Sequence, residues 1–281
     1  PPVHVAGDFQ GWNPGSAAHT LTAQPDGRYA IMLALPDNQP IQFKFTRGSW
    51  ATVEKGPNGE ELPNRTHTPA GTQTLDLTVA RWADGQNSTI TGDVTTFTHA
   101  PFLGGRRVWV YLPPGYHDQT ADYPVLYMHD GQNLFDQATS FAGEWRGDEA
   151  CEALIAAGEI EPIIVVGIDN GPNRCGEYTP WHDNGIGCGG QGDQYLAAVR
   201  DVLMPEIESR YRARAGEAYM SGSSLGGLIS AYAGYADSTW TRIAAVSPSY
   251  WFNGVEMVDF AQATGRPASL ERFYQDFGTA E

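Results

Sequence analysis

The chain has 281 residues and a formal net charge of −16, enough length for one large α/β domain or for a core domain with a smaller companion. That excess of acid disfavours a nucleic-acid backbone or an anionic membrane surface as partner. Hydrophobic residues make up 41% and charged residues 18%, and no run approaches the ~18 apolar residues needed to cross a bilayer.

From the N-terminus, residues 1–82 carry short alternating or aromatic-rich runs between turn signals. "VHVAG", "RYAIMLAL", "IQFKFTRG" and "QTLDLTVA" read as strands, with "PDG", "PDN" and "GPNGE" as turns. No helical period appears, so this part is expected to be a small all-β, immunoglobulin-like sandwich. The segment "VHVAGDFQGWNPG" together with "IQFKFTRGSWATVEKGPNGEELPNRT" resembles starch- and glycogen-binding β-sandwich modules. The resemblance implies that Trp12 and Trp50 are the candidate sugar contacts, against a packing role for Trp12 in its turn.

A polar stretch at 83–94 suits a linker. From residue 95 onward strands alternate with helices. "RRVWVYLP", "YPVLYMHD", "PIIVVGID", "EAYMSGSS" and "RIAAVSPS" are strands, several apolar on both faces as in a covered parallel sheet. "DEACEALIAAG", "DQYLAAVRDVLMPEIESRY" and "LGGLISAYAGYA" are helices. The alternation predicts an α/β domain over 95–281, with a mostly parallel sheet and helices on both faces.

Three cysteines occur. Cys151 falls on the apolar side of a helix and reads as an inert buried thiol. Cys175 and Cys188 flank a loop, and the sequence leaves a disulfide between them open. No CxxC or HxxxH spacing is present, so no metal is expected.

Gly222-Ser223-Ser224-Leu225-Gly226 matches G-x-S-x-G between an apolar strand and a helix. A serine at the tip of such a turn needs neighbours almost free of side chains, and the turn directs the following N–H, here that of Leu225, toward a developing oxyanion. Ser224 is therefore the candidate nucleophile, against an inert Gly/Ser turn.

The blocks "YLPPGY", "PVLYMHDGQNLFD", "VVGIDNGPNRCGEYTPW", "GGQGDQYLAAVRDVLMPEIESRYR", "SGSSLGGLIS" and "AVSPSYWF" resemble, in that order, the esterase family of α/β-hydrolases that includes enterochelin, feruloyl and acetyl-xylan esterases and S-formylglutathione hydrolase. The resemblance implies an α/β-hydrolase fold and places the second oxyanion N–H at Gly131 or Gln132, Gln132 being favoured. It gives His129 an orienting role beside the pocket rather than that of base. Asn170, Arg174, Glu177 and Tyr178 are candidate pocket residues at a strand's carboxyl end, with an Arg174–Glu177 pair holding the loop as the alternative. Ser249, Tyr250 and Trp251 are expected to wall the pocket, against a packing role for Trp251.

Triad order in this fold is Ser, then acid, then His. The resemblance places the acid at Glu281, with Asp276 as second candidate. All seven histidines, His4, His19, His67, His99, His117, His129 and His182, precede Ser224, so the base is expected beyond residue 281. A hydrolase-like protein without a base is the alternative, and His182 runs against family order. Together these readings imply a serine carboxylic-ester hydrolase acting through an acyl-enzyme on a glycan-linked, feruloyl, acetyl or siderophore-type ester. It is expected to need no cofactor and to be secreted or periplasmic. A non-catalytic carbohydrate-binding protein and an acyltransferase are the alternatives.

Overall fold

In the segment Val3–Gly7 (β1) every residue is buried, and Val3 and Val5 contribute its apolar side chains. The segment Ile41–Thr46 (β4) buries Ile41 and Phe43 and exposes Gln42 between them. This is the period-two pattern of a half-covered strand. The two pair antiparallel, with Val5 opposite Phe45, and form the middle of a sheet in the computed structural model, which describes residues 2–277 except 25, 26, 58, 86, 87 and 142. Thr20–Ala23 (β2), Tyr29–Ala30 (β3) and Arg65–His67 (β6) complete the order β3-β2-β1-β4-β6. Glu54–Lys55 (β5) and Arg81–Trp82 (β7) form a separate two-stranded ribbon.

Two predicted strands differ from expectation. "RYAIMLAL" pairs only over Tyr29–Ala30, although its alternation persists: Met32 is 96% exposed while Ile31, Leu33 and Leu35 pack on the sheet's core. "QTLDLTVA" joins no ladder, and Leu75 and Leu77 are exposed. Alternation specifies a face, but a strand also needs an open neighbouring edge, which local sequence does not supply.

The chain divides into two compact units: 1–89 with 136–145, and 90–135 with 146–281. The return of 136–145 to the first unit has a polar basis. Buried Lys55 pairs with Glu61 and reaches the carbonyl of Ser140 at 3.4 Å. Asp136 accepts the Ser88 hydroxyl at 3.0 Å and the Thr89 N–H at 3.2 Å. Beside these, Glu54 takes a bidentate bond from Arg65 and the N–H of Phe45, so that each buried charge has a partner.

The second unit is built on a seven-stranded sheet, in the order Arg272–Asp276 (β16), Trp240–Pro248 (β15), Ala213–Ser224 (β14), Tyr123–His129 (β10), Ile164–Ile168 (β11), Arg107–Leu112 (β9), Asp93–Thr98 (β8). The first five run parallel, and β9 and β8 are antiparallel at one edge. Alternate residues serve opposite faces: Val108 and Val110 pack into one apolar cluster, and Trp109 and Tyr111 into another. Helix Gly147–Ala156 (α1) supplies Cys151 to the second cluster. Its thiol is pushed up to about 11, by burial first, which keeps it protonated and unreactive.

The helix expected over 193–211 is interrupted. Gly192–Ala198 (α3) and Met204–Arg210 (α4) flank a π-helical stretch at Val199–Leu203. Pro205, in the first turn of α4, has no N–H to donate and crowds the preceding turn, and a widened turn absorbs both effects. The remaining helices are Arg174–Glu177 (α2), Leu225–Ala236 (α5) and Glu256–Thr264 (α6), and a hairpin pairs His182–Asp183 (β12) with Cys188–Gly189 (β13). Among the described residues no helix is long and apolar enough to cross a membrane.

Asp148 in the first turn of α1 is fully buried and accepts the N–H of Thr91 at 2.6 Å. Burial pushes its carboxyl up to about 6, and neighbouring Glu149 adds to the shift. A carboxyl whose pKa rises on folding contributes stability that is complete below its unfolded value and lost as pH rises through about 6. Asp148→Asn is therefore expected to raise Tm at pH 8 by about 2–4 °C, with the gain vanishing toward pH 4. Thermal melts across that range check it.

Candidate active site

Strand β14 is buried from Ala218 to Gly222 and ends at Ser224, whose backbone stands at φ 56°, ψ −120° before α5 begins at Leu225. This sparsely populated conformation costs roughly 1–3 kcal/mol and is retained where the surroundings fix it. They do so by leaving no space. A Cβ on Gly222 would lie 2.7 Å from the Gly226 carbonyl carbon and 2.9 Å from Cδ2 of His129. The Ser224 side chain reaches the surface, and its Oγ lies 3.0 Å from Oγ of Ser249. The N–H of Leu225 belongs to the first turn of α5, where backbone donors have no intrahelical acceptor.

Facing this turn in the topology is the end of β10. After His129 the chain enters a left-handed step at Asp130 (φ 58°, ψ 46°) and a 3-10 turn over Gly131–Asn133. A Cβ at Gly131 would lie 2.6 Å from the Gly167 carbonyl carbon on β11, so only glycine fits. The Gln132 carboxamide is held on both sides by Asn170: its Nε2 donates to Asn170 Oδ1 at 2.5 Å, and the Asn170 N–H donates to its Oε1 at 3.1 Å.

Asp130 is clamped by Arg174, whose Nε and second terminal nitrogen each donate to one carboxylate oxygen at 2.7 Å. Tyr178 accepts the Asp130 N–H at 3.2 Å and lies under the Arg174 guanidinium, 5.0 Å from it. Arg174 starts the short helix α2, tied to the β12–β13 hairpin by the Cys175–Cys188 disulfide (Cα–Cα 6.0 Å). The Arg174–Glu177 pair weighed from sequence does not form. Glu177 binds Arg106 instead, at 2.6 and 2.8 Å, because Arg174 faces the carboxylate one strand away.

His129 is 2% exposed, with Nδ1 2.9 Å from the Tyr195 hydroxyl and its ring between Tyr178 and Tyr195. Burial first, then the Arg174 charge, pulls its pKa down to about 3. It is a neutral ring packed beneath the elbow, and Tyr178 beside it is fully buried. Tyr178 holds the turn after β10 through the Asp130 N–H. Asn170 is half-buried.

Beyond the elbow, Ser249 is buried directly against Ser224. Half-buried Tyr250 donates to Gln275 Oε1 at 3.1 Å, while Trp251 is 66% exposed and is no part of the core. Asp276 accepts the Ser247 N–H at 2.8 Å and the Tyr274 hydroxyl at 3.1 Å. Glu281 lies outside the described residues. The exposed His182 ring lies 3.3 Å from the Gly189 carbonyl; among the described residues no histidine is hydrogen-bonded to Ser224. In the first unit Trp12 and Trp50 form a tilted pair with centroids 6.3 Å apart. Sequence reading missed Tyr195, Asp130 and Arg106. Asp130 and Tyr195 lie inside blocks read for other residues, and each of the three acts through a partner distant in sequence.

A parallel sheet with helices on both faces and a strained serine between strand and helix defines an α/β-hydrolase. The sequence pattern of the Esterase family, described as "Putative esterase", matches residues 103–275, more than half of the chain, and the protein belongs to that family. It is 30% identical over 187 residues to the uncharacterized protein YbbA of Bacillus subtilis, covering 63% of this chain and 70% of that one. It is 50% identical over 84 residues to an alpha-amylase of Niallia circulans, covering 30% of this chain but only 6% of the amylase. Its fold is similar to that of the siderophore hydrolase EstB from Aspergillus nidulans, with a TM-score of 0.51, 23% identity, and coverage of 62% of this chain and 63% of that one.

Removing one partner of a largely buried ion pair leaves the other charge uncompensated. Arg174→Ala is expected to destabilise the fold by on the order of 2–3 kcal/mol, reduced from the fully buried case because the arginine is partly exposed. Urea unfolding of the two proteins measures it.

Proposed function

We propose that this esterase-family chain is a serine carboxylic-ester hydrolase working through an acyl-enzyme. The observation that carries the reading is the exposed Ser224 hydroxyl on a left-handed turn between β14 and the N-terminus of α5. In this reading Ser224 Oγ attacks the ester carbonyl carbon. The backbone N–H groups of Leu225 and of Gln132 or Gly131 stabilise the tetrahedral oxyanion, and the alcohol leaves. Water then releases the acid. A base must take the serine proton. His129 does not fit that role, being buried and neutral, and the reading calls for a histidine at the mouth oriented by an acid, for which Glu281 is the candidate.

The substrate we assign is a glycan-linked, feruloyl, acetyl or siderophore-type ester. Exposed Trp251 beside Tyr250 supports a substrate presenting a flat ring. No cofactor enters these steps. The Cys175–Cys188 bridge supports an oxidising, secreted or periplasmic location. In the full-length gene product, Ser224→Ala is expected to lower p-nitrophenyl acetate hydrolysis by ~10³-fold or more. Equal rates for the two proteins defeat the esterase reading in favour of a non-catalytic one. Diversion of acyl groups to added alcohols reveals an acyltransferase.

A second activity is favoured by one observation in the first unit. Trp12 and Trp50 form a tilted aromatic pair with Trp50 exposed, and the amylase match has the length of this unit rather than of the other. We assign it glycan binding. Cosedimentation with insoluble starch is expected for the wild type and not for Trp12→Ala/Trp50→Ala, while ester hydrolysis of a soluble substrate is unchanged.

A further inference from the structure

The nucleophile has a neighbour that the mechanism above does not use. Ser249 is 3% exposed, and its Oγ lies 3.0 Å from Oγ of Ser224. Its own backbone is fixed from both sides. The Ser249 N–H donates to the Ser224 carbonyl at 3.0 Å, and the Phe252 N–H donates to the Ser249 carbonyl at 3.0 Å. The chain reaches this position through a second strained residue, Ser247, with φ 40°. Across the sheet, Val246 of β15 is paired with Asp276 of β16, and Pro248 with Ser224 of β14. Asp276 Oδ1 accepts the Ser247 N–H at 2.8 Å, and its other oxygen is held by the Tyr274 hydroxyl. The strained turn at the end of β15 is thus anchored to β16 on one side and delivers a hydroxyl to the nucleophile on the other.

Resting on the serine reading above, we infer that Ser249 is a positioning residue for Ser224, its hydroxyl selecting one rotamer of the nucleophile before attack, and that Asp276 acts one step further back by holding the Ser247 turn. A serine side chain has three staggered rotamers. An O–H donated by Ser249 occupies one lone pair of Ser224 Oγ and leaves the Ser224 proton free to point at the base. During attack the Ser224 O–H bond breaks and its proton passes to the base. The new C–O bond forms, and the carbonyl electron pair moves to the oxygen in the oxyanion hole. The Ser249 O–H stays intact throughout. Its loss therefore slows acylation and leaves substrate binding alone.

The test compares Ser249→Ala, Ser249→Thr, Asp276→Asn and Asp276→Ala in the full-length gene product. Each is assayed by kcat and KM for p-nitrophenyl acetate, the rate of fluorophosphonate labelling, and Tm. Loss of one neutral hydrogen bond predicts labelling and kcat/KM down about 3- to 10-fold in Ser249→Ala, with KM and Tm unchanged. Ser249→Thr, which keeps the hydroxyl, is expected to recover the rate. Asp276→Asn keeps an oxygen for the Ser247 N–H but loses the charge, and is expected to lower the rate by no more than about 3-fold, whereas Asp276→Ala should behave as Ser249→Ala does. Wild-type labelling by Ser249→Ala overturns the inference, as does a rate lost only together with Tm and not recovered by threonine. A loss of ~10³-fold or more in Asp276→Asn overturns the positioning role of Asp276 and makes it the triad acid. Labelling that survives Ser224→Ala overturns the serine reading itself.

Discussion

The second unit is organised around a lack of room. Where β14 turns into α5, the backbone of Gly222 passes so near the Gly226 carbonyl and the His129 ring that no β-carbon fits at Gly222. That closeness forces the tight turn, and the turn puts Ser224 in a conformation an L-residue adopts only under constraint. It also decides what His129 is. A ring wedged beneath the turn is cut off from water, so its charged form is penalised and its pKa falls to about 3. Its place is to fill space under the turn and to meet the Tyr195 hydroxyl.

Behind the Gly131–Asn133 turn lies a layer of charge with a different logic. Buried carboxylates are costly unless each is met by a well-aligned partner. Asp130 and Glu177 are met by bidentate arginines, Arg174 and Arg106 respectively. Bidentate geometry fixes direction as well as distance. Asp130 is thereby held in its left-handed step, which aims the backbone of Gly131 and Gln132. The disulfide ties α2, and with it Arg174, to the hairpin. A covalent constraint far along the chain is in this way linked, through one guanidinium, to the backbone of the turn.

These couplings explain which parts of the molecule could be read from sequence. The α/β alternation, the elbow and the edge of the sheet carrying the site are local patterns: a five-residue glycine–serine motif, apolar strand runs and helical periods. The π-helical interruption was also encoded, in Pro205, but it reads as a helix when only periodicity is counted. What escaped depends on pairing at a distance. Nothing near Arg174 in the chain says that it will choose Asp130 over Glu177 three residues away. Nothing in "QTLDLTVA" says that its ladder partner is missing. Residues 136–145 lie between hydrolase elements in sequence, yet buried Lys55 takes the Ser140 carbonyl from them, and no periodicity carries that information. The site was legible in its backbone and obscure in its side-chain partners.

Strain explains why the Ser224–Ser249 pair is built as it is. Ser224 and Ser247 both have positive φ at the ends of adjacent strands, and each such residue costs roughly 1–3 kcal/mol. A fold retains that cost only where hydrogen bonds formed in the strained geometry would be lost on relaxing. Here the Ser249 N–H closes onto the Ser224 carbonyl, and Asp276 closes onto Ser247. Relaxing either turn would break a bond made by the other's segment, so the two strained residues stabilise one another. An exposed hydroxyl is ordinarily free to rotate. Between two turns that cannot relax separately, with a buried hydroxyl 3.0 Å away, the Ser224 hydroxyl is restrained in the folded chain, and in the proposed serine mechanism the cost of ordering it is met by folding rather than by binding.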